Sequence, residues 1–321
     1  MTSLLFPLFI VLFSLAAGYA AGIIYRLRTR RVALLDIRKG LQWAALLVIN
    51  PVAFVGAVWV APLQDLRIIR LPLVGVFSIV LGGVLAFIYT RITRRDRRQT
   101  GSLITVGGMT NIGSIGAIVV YSLLGEAGFS LVPLYKLFEE LLYYGVAFPL
   151  AKSYSDSVAG KEHRLKAVLK DPFIIVMFSA ICLGVVLNLL GFERPLWYTG
   201  LNQILIPLAS SLLLISIGMA FRFVAMTRHI PAALAVVVIK NALVPLGALL
   251  FARLMGLHLL EGGLVLQTVV VLAAMPSGFI SLVPPTLYGL DVDLSNTAWF
   301  ATMISLFWMV PLLRLLLPLL G

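Results

Sequence analysis

The sequence predicts an all-α integral membrane protein of ten transmembrane helices, and three observations lead there. Hydrophobic residues make up 61% of the 321 and charged residues only 12%, with a mean hydropathy of +1.05, far outside the balance of a soluble domain. The apolar runs are continuous, whereas a transmembrane barrel alternates apolar and polar positions over short segments. Each run is close to the roughly 20 residues that a helix needs to cross a hydrocarbon core of about 30 Å.

Charges and turn residues divide the chain into spans near 4–25, 38–60, 71–90, 101–123, 131–151, 172–190, 198–221, 231–253, 260–284 and 294–319. The net charge of +12 does not point to nucleic acid, because the basic residues lie in the connections and not on a polar domain. Arg26, Arg28, Arg30, Arg31, Arg38 and Lys39 follow the first span, and Arg91, Arg94, Arg95, Arg97 and Arg98 follow the third. Lys152, Lys161, Arg164, Lys166 and Lys170 follow the fifth, and Arg222 and Arg228 the seventh. All these linkers fall on one side, and the other side has only Arg67, Arg70, Arg194 and Arg253. Cytoplasmic loops carry the excess of Lys and Arg, so both termini are expected outside. The first run reads as a spanning helix and not a cleaved leader, since Met1-Thr2-Ser3 lacks a basic region. A multi-pass protein of the cell membrane, inner or plasma, is the expected setting.

The stretch "KSYSDSVAGKEHRLKAVLKDP" separates five spans from five. An odd number per half makes the second half enter the membrane in the opposite orientation, the arithmetic of an inverted-repeat secondary transporter. The expected organisation is a first repeat at 1–151, a cytoplasmic linker at 152–171 and a second repeat at 172–321. Breakers sit at corresponding places: Asn50-Pro51 in span two and Pro207 in span seven, Asn111-Ile112-Gly113 in span four and Pro276-Ser277-Gly278 in span nine. A proline inside a helix removes one hydrogen bond and crowds the preceding turn. In lipid such breaks persist only against protein or a water-filled cavity.

Interrupted segments in matching places of two halves point to a transporter's binding site. A break over Thr110, Asn111, Gly113 and Ser114 would start a half-helix whose first N–H groups suit an anion. The same holds after Pro276, where Ser277 adds a hydroxyl and Gly278 lets the backbone approach closely. The alternative is that Gly113, Ser114 and Gly116 are small residues for helix packing. Asn111 can donate two hydrogen bonds to a carboxylate without bringing a buried charge.

Motifs around both breaks resemble the auxin efflux carrier family. "MTNIGSIGAIVVYSLLGEAG" is similar to its fourth-span signature, and "AAMPSGFISLVPPTLYGLDVDLSNTAWFATMISL" to its ninth, with Tyr288-Gly289, Asp291, Thr302 and Ser305 following Pro276. "KDPFII", "IKNALVP" and "NPVAF" extend the likeness over nearly the whole chain. The chain departs from the pattern at Ile118, where many members have proline, and at Ser211, with Pro207 one turn earlier. The resemblance implies the ten-span inverted-repeat fold of sodium/proton antiporters and bile acid/sodium symporters. A scaffold of spans one, two, six and seven would pair two copies into a homodimer, and spans three to five and eight to ten would form an elevator-type transport domain. It also implies an organic anion as substrate, auxin-like or malate- or malonate-like. Asn111 would then hold the carboxylate, with Thr110, Gly113, Ser114, Pro276, Ser277, Gly278 and Asn50 around it.

Ionisable residues inside membrane helices are costly and hence functional candidates. "YKLFEELLYYG" places Lys136 at i,i+3 from Glu139 and at i,i+4 from Glu140, so both can face it. One glutamate would carry a proton or help bind sodium, or Lys136 neutralises one while the other lies near the interface. Lys240 stands alone near the middle of span eight, where a supporting role is favoured over direct substrate contact. Cys182 reads as inert packing. His163, His229 and His258 have no metal spacing and read as solvated. Tyr143-Tyr144 and Trp299 line a pathway or anchor helix ends. No cofactor, metal site, phosphate loop or nucleophile–base pair is evident, so a carrier is expected and not an enzyme or an ATP-driven pump.

Overall fold

The computed structural model describes residues 5–27, 31–61, 63, 66–155, 172–220 and 229–320. Most of the expected linker at 152–171 lies outside the described residues, and so do His163 and the basic residues at 28, 30, 161, 164, 166, 170, 222 and 228. The described chain is helical and contains no β-strand. The principal helices are α1 (Leu5–Leu27), α2 (Asp36–Trp59), α3 (Leu71–Ile92), α4 (Arg97–Gly108), α5 (Ala117–Tyr135), α6 (Pro172–Leu189), α7 (Trp197–Ala220), α8 (Ile230–Leu254), α9 (Leu264–Ala273), α10 (Val292–Ile304) and α11 (Leu306–Leu316). Five uninterrupted helical stretches among the described residues are long and apolar enough to cross a membrane, and six if the 43° bend between α10 and α11 lies within one span.

Proline positions explain irregularities in α2, in α8 and in the short helical stretch Glu139–Ser153. Wide π-helical turns at Ala44–Ile49, Tyr143–Ala147 and Ile239–Leu243 each end two residues before a proline, namely Pro51, Pro149 and Pro245. Proline has no N–H to donate and its ring crowds the carbonyl four residues back, so the helix widens there. Tyr143 and Lys240 stand in two of the widened turns. The α5 helix bends differently, at Gly125, whose φ of 68° and ψ of −163° are open essentially to glycine alone.

Two compact units make up the chain. The first comprises Met1–Leu66, Gly113–Leu134 and Pro172–Arg222. Within it α1 and the π-turn of α2 pack on α7, and α6 packs on the C-terminal half of α2. Asn188 Nδ2 reaches the carbonyls of Trp59 and Ala61 at 2.8 Å each, covering acceptors that the end of α2 leaves open. Arg194 forms a two-pronged ion pair with Glu126, and Phe54 stacks on Phe129 at 5.2 Å. Cys182, expected in packing, is instead exposed on α6. A side chain on an apolar helix meets lipid as readily as protein, and composition does not separate the two.

The second unit comprises Arg67–Ile112, Tyr135–Asp171 and Phe223–Gly321. Here α3 lies along α4, α8 along α10, and α9 beside the second half of α8. Asp96 caps α4 by accepting from Gln99 N at 2.8 Å, and Asp291 caps α10 by accepting from Leu294 N at 3.0 Å. A carboxylate at a helix start meets both an orphan N–H and the positive end of the dipole. His229 departs from the solvated reading: it is buried, with Nε2 3.9 Å from Asp291 Oδ2. Its place in a linker suggested exposure, but Asp291, 62 residues later, draws it against α10.

Candidate functional site

The site is built where two helices of the second unit stop. The α4 helix ends at Gly108 and α9 at Ala273, and the chain after each is extended for a few residues. Thr110 and Ser277 meet there as an isolated antiparallel bridge. Asn111 N donates to Pro276 O at 2.8 Å, and Gly278 N donates to Met109 O at 3.0 Å. The two interruptions thus satisfy each other's backbone groups, which answers the requirement that breaks inside apolar protein find partners. Helical backbone resumes at Ile112 on one side and at Phe279 on the other.

Hydroxyls from later helices hold the same two residues. The Tyr143 hydroxyl accepts from Thr110 N at 2.8 Å and donates to Thr110 O at 3.3 Å. Opposite it, Thr302 Oγ1 accepts from Ser277 N at 3.2 Å, and Ser277 Oγ donates to Val106 O at 2.7 Å. Each central N–H of the crossover is therefore bonded to one hydroxyl, and the arrangement has an approximate twofold character. Lys240 breaks it, since its ammonium donates to Thr110 Oγ1 and no cation among the described residues is seen bonded to Ser277 Oγ. Tyr143→Phe should lower thermal stability by about 1–2 kcal/mol, the cost of leaving one buried N–H unpaired. A melting curve of the purified protein checks this, and an unchanged midpoint would refute the role.

The expected site residues divide as follows. Thr110, Asn111, Pro276, Ser277 and Gly278 are brought together at the crossover, all buried, with Asn111 6% exposed. Gly113 and Ser114 continue the chain in the π-turn Ile112–Gly116 and are grouped with the first unit. Asn50 is buried in the first unit, on α2. Lys136 Nζ lies 3.1 Å from Glu139 Oε2, the expected i,i+3 pair. The side chain of Glu140 lies outside the described residues. Lys240 is 0% exposed.

Three further residues carry weight that the sequence did not assign them. Tyr143 and Trp299 are buried, not anchors at helix ends. For Tyr143 the proline six residues on marks the widened turn, but not which hydroxyl that turn presents to the break. Ser281 follows Gly278 by three residues, is fully buried, and its Oγ has no hydrogen-bond partner among the described residues. An unsatisfied buried hydroxyl costs about 1–3 kcal/mol and is a natural contact for a polar ligand. A cavity of about 300 Å³ adjoins the crossover at Gly108 and Met109, bounded by Ile79, Ile104, Leu142 and Tyr154. Its walls are almost wholly apolar, so it suits a hydrocarbon body and offers nothing to a carboxylate. Among the described residues no cluster of His, Cys, Asp and Glu is arranged to hold a metal ion.

A family model described as "Membrane transport protein" matches residues 7–314. A protein of Methanothermobacter thermautotrophicus, described as an uncharacterized transporter, is 25% identical over 240 residues, covering 74% of this chain and 76% of its own length.

Proposed function

Because the chain belongs to the membrane transport protein family, the auxin efflux carrier family, we propose that it is a secondary carrier of a small organic carboxylate working by alternating access. In this carrier ten spans form a 5+5 inverted repeat, both termini face the outside of the cell membrane, and two copies pair through the scaffold helices. The second unit is the moving body of an elevator, and the crossover within it is the substrate site. Asn111 donates its amide hydrogens to the carboxylate. Ser281 supplies a second hydroxyl from the other break, and the new helix starts after Asn111 and Gly278 turn their positive ends to the anion.

One observation supports this most: two chain breaks from different halves are bonded to each other through Thr110 and Ser277. Broken helices meeting in this way are the recurring binding site of inverted-repeat carriers. The test is a screen of mono- and dicarboxylates by thermal shift and by uptake into proteoliposomes, with wild type beside Asn111→Ala. Loss of two hydrogen bonds to a charged group predicts affinity lower by about 10-fold or more. A carboxylate that stabilises Asn111→Ala as well as wild type removes Asn111 from the site.

A further inference from the structure

The apolar cavity beside the crossover is a slot walled by α3, by the C-terminal half of α4 and by the stretch Glu139–Ser153. Ile79, Gly83 and Phe87 line it at every fourth position of α3, so it follows that helix for about 12 Å at 1.5 Å per residue. Val80, Val84, Val146 and Leu150 also line it, yet each keeps between 41% and 54% of its surface exposed. On a helix that spans a membrane, exposed valine meets hydrocarbon and not water. An unfilled apolar slot forfeits the contacts of its lining atoms. In a bilayer the molecule at hand to supply them is a lipid chain.

One end of the slot meets the arginine-rich connection between α3 and α4. Arg91, one turn beyond Phe87, lays its guanidinium 4.8 Å from the centroid of that ring. From the start of α4, Arg97 Nη2 donates to Ser153 O at 2.8 Å, and Ser153 precedes Tyr154, which lines the slot. Both arginines are exposed. Among the described residues no carboxylate is ion-paired with either, and Asp96, the acidic residue of this connection, caps α4. The connection at 156–171 lies outside the described residues, and by sequence it sets Lys161, Arg164, Lys166 and Lys170 against Asp156, Glu162 and Asp171. Orientation in the membrane needs positive charge only somewhere in these connections. Two guanidinium groups stand instead at the mouth of an apolar slot. Its other end reaches Gly108 and Met109, and Met109 O accepts from Gly278 N at 3.0 Å.

We propose that this slot binds one anionic phospholipid, with an acyl chain between α3 and the stretch Glu139–Ser153 and the phosphate against the guanidinium groups of Arg91 and Arg97. A guanidinium meets two phosphate oxygens at once, and basic residues beside a spanning helix on the cytoplasmic side favour anionic headgroups. A zwitterionic lipid offers the same chain but brings its own cation to the mouth. The inner end of the chain packs against Met109, whose carbonyl carries one of the two bonds of the bridge. The inference stands on the slot and its mouth, and holds whatever the crossover carries.

The test is native mass spectrometry of purified, delipidated full-length protein, titrated with phosphatidylglycerol and phosphatidylcholine of identical acyl chains. Wild type should bind one phosphatidylglycerol about 10- to 30-fold more tightly than phosphatidylcholine, the effect of two arginines on an anionic headgroup. Arg91→Gln and Arg97→Gln together should abolish that difference. Arg95→Gln removes the same charge from the same connection and should preserve it, because the Arg95 guanidinium lies beside Tyr89, on the opposite face of α3 from Phe87. Gly83→Leu fills the slot without moving backbone, since a β-carbon there would stand 3.9 Å or more from its neighbours. Binding of both lipids should then weaken about 10-fold or more. Equal binding of the two lipids by wild type overturns the proposal, as does a preference that survives the double substitution or vanishes in Arg95→Gln. Undiminished lipid binding by Gly83→Leu also overturns it, and Ala147→Leu, from the facing wall, serves if that variant does not purify. Displacement of the lipid from wild type by indole-3-acetate would give the slot to a carboxylate instead and overturn the proposal too.

Discussion

Gly278→Val is expected to reduce carboxylate uptake to background while the protein still inserts and purifies. A β-carbon at Gly278 would sit 2.9 Å from Thr110 O, closer than a β-carbon comes to an atom of another residue, and a tight 3.2 Å from Thr110 C. The obstacle is backbone and not the end of a flexible side chain, so the two breaks must part. Parting them strains both bonds of the bridge, Asn111 N to Pro276 O and Gly278 N to Met109 O. Two buried N–H groups left unpaired would cost about 2–6 kcal/mol, and Asn111 would be carried away from its position. Glycine at 278 is required by this approach and not by its φ of −68°, which any residue adopts. Gly200→Ala is the matched control, because its β-carbon would meet nothing within 4 Å. There the change should be within about 1 kcal/mol and favour the helix. Uptake and melting curves of the two variants decide the matter, and wild-type uptake by Gly278→Val would show that the bridge does not shape the site.

Arg194→Ala should produce a large loss of stability, of about 3 kcal/mol, without touching the crossover. Arg194 donates to both oxygens of Glu126, at 2.5 and 3.0 Å, to Gly56 O at 2.7 Å and to Thr199 Oγ1 at 2.8 Å. Asn202 Nδ2 donates to the same carboxylate at 2.7 Å. The side chains of Arg194 and Glu126 are 9% and 18% exposed, so removal of the cation leaves a mostly buried anion held by the Asn202 amide. Breaking a buried pair from one side is far more damaging than replacing both members. Arg194→Lys should recover only part of the loss, because an ammonium cannot bond both oxygens in the planar fork. Melting of the detergent-solubilised protein measures this, and a midpoint equal to wild type would mean that the network contributes nothing.

The legible part of the site was the part written as local punctuation. Asn111 and Pro276-Ser277-Gly278 stood out because polar and helix-breaking residues are conspicuous in apolar runs, and their matching places in two halves suggested that they meet. Lys136 and Glu139 were legible for another reason, since a helix alone brings i and i+3 together. Pro51, Pro149 and Pro245 mark where turns widen, but nothing in a proline says which side chain its widened turn will present or to what. Tyr143 was hidden for that reason: its hydroxyl acts on a backbone 33 residues away. Lys240 was visible as an isolated charge, but its partner Thr110 lies 130 residues earlier. Ser281 looked like any small residue of an apolar segment until its burial without a partner was seen.

Composition and periodicity by themselves determined that the chain is helical and lives in lipid, because a bilayer accepts few structures and each needs long apolar runs. Breakers added where those helices fail, because proline and glycine act on their own backbone. Which groups satisfy the broken backbone was decided only by tertiary structure. A freed N–H or carbonyl must be bonded, but any hydroxyl, amide or ammonium that the fold delivers will serve. Tyr143, Thr302 and Lys240 were chosen by packing, 33, 25 and 130 residues from the backbone or hydroxyl that each one bonds.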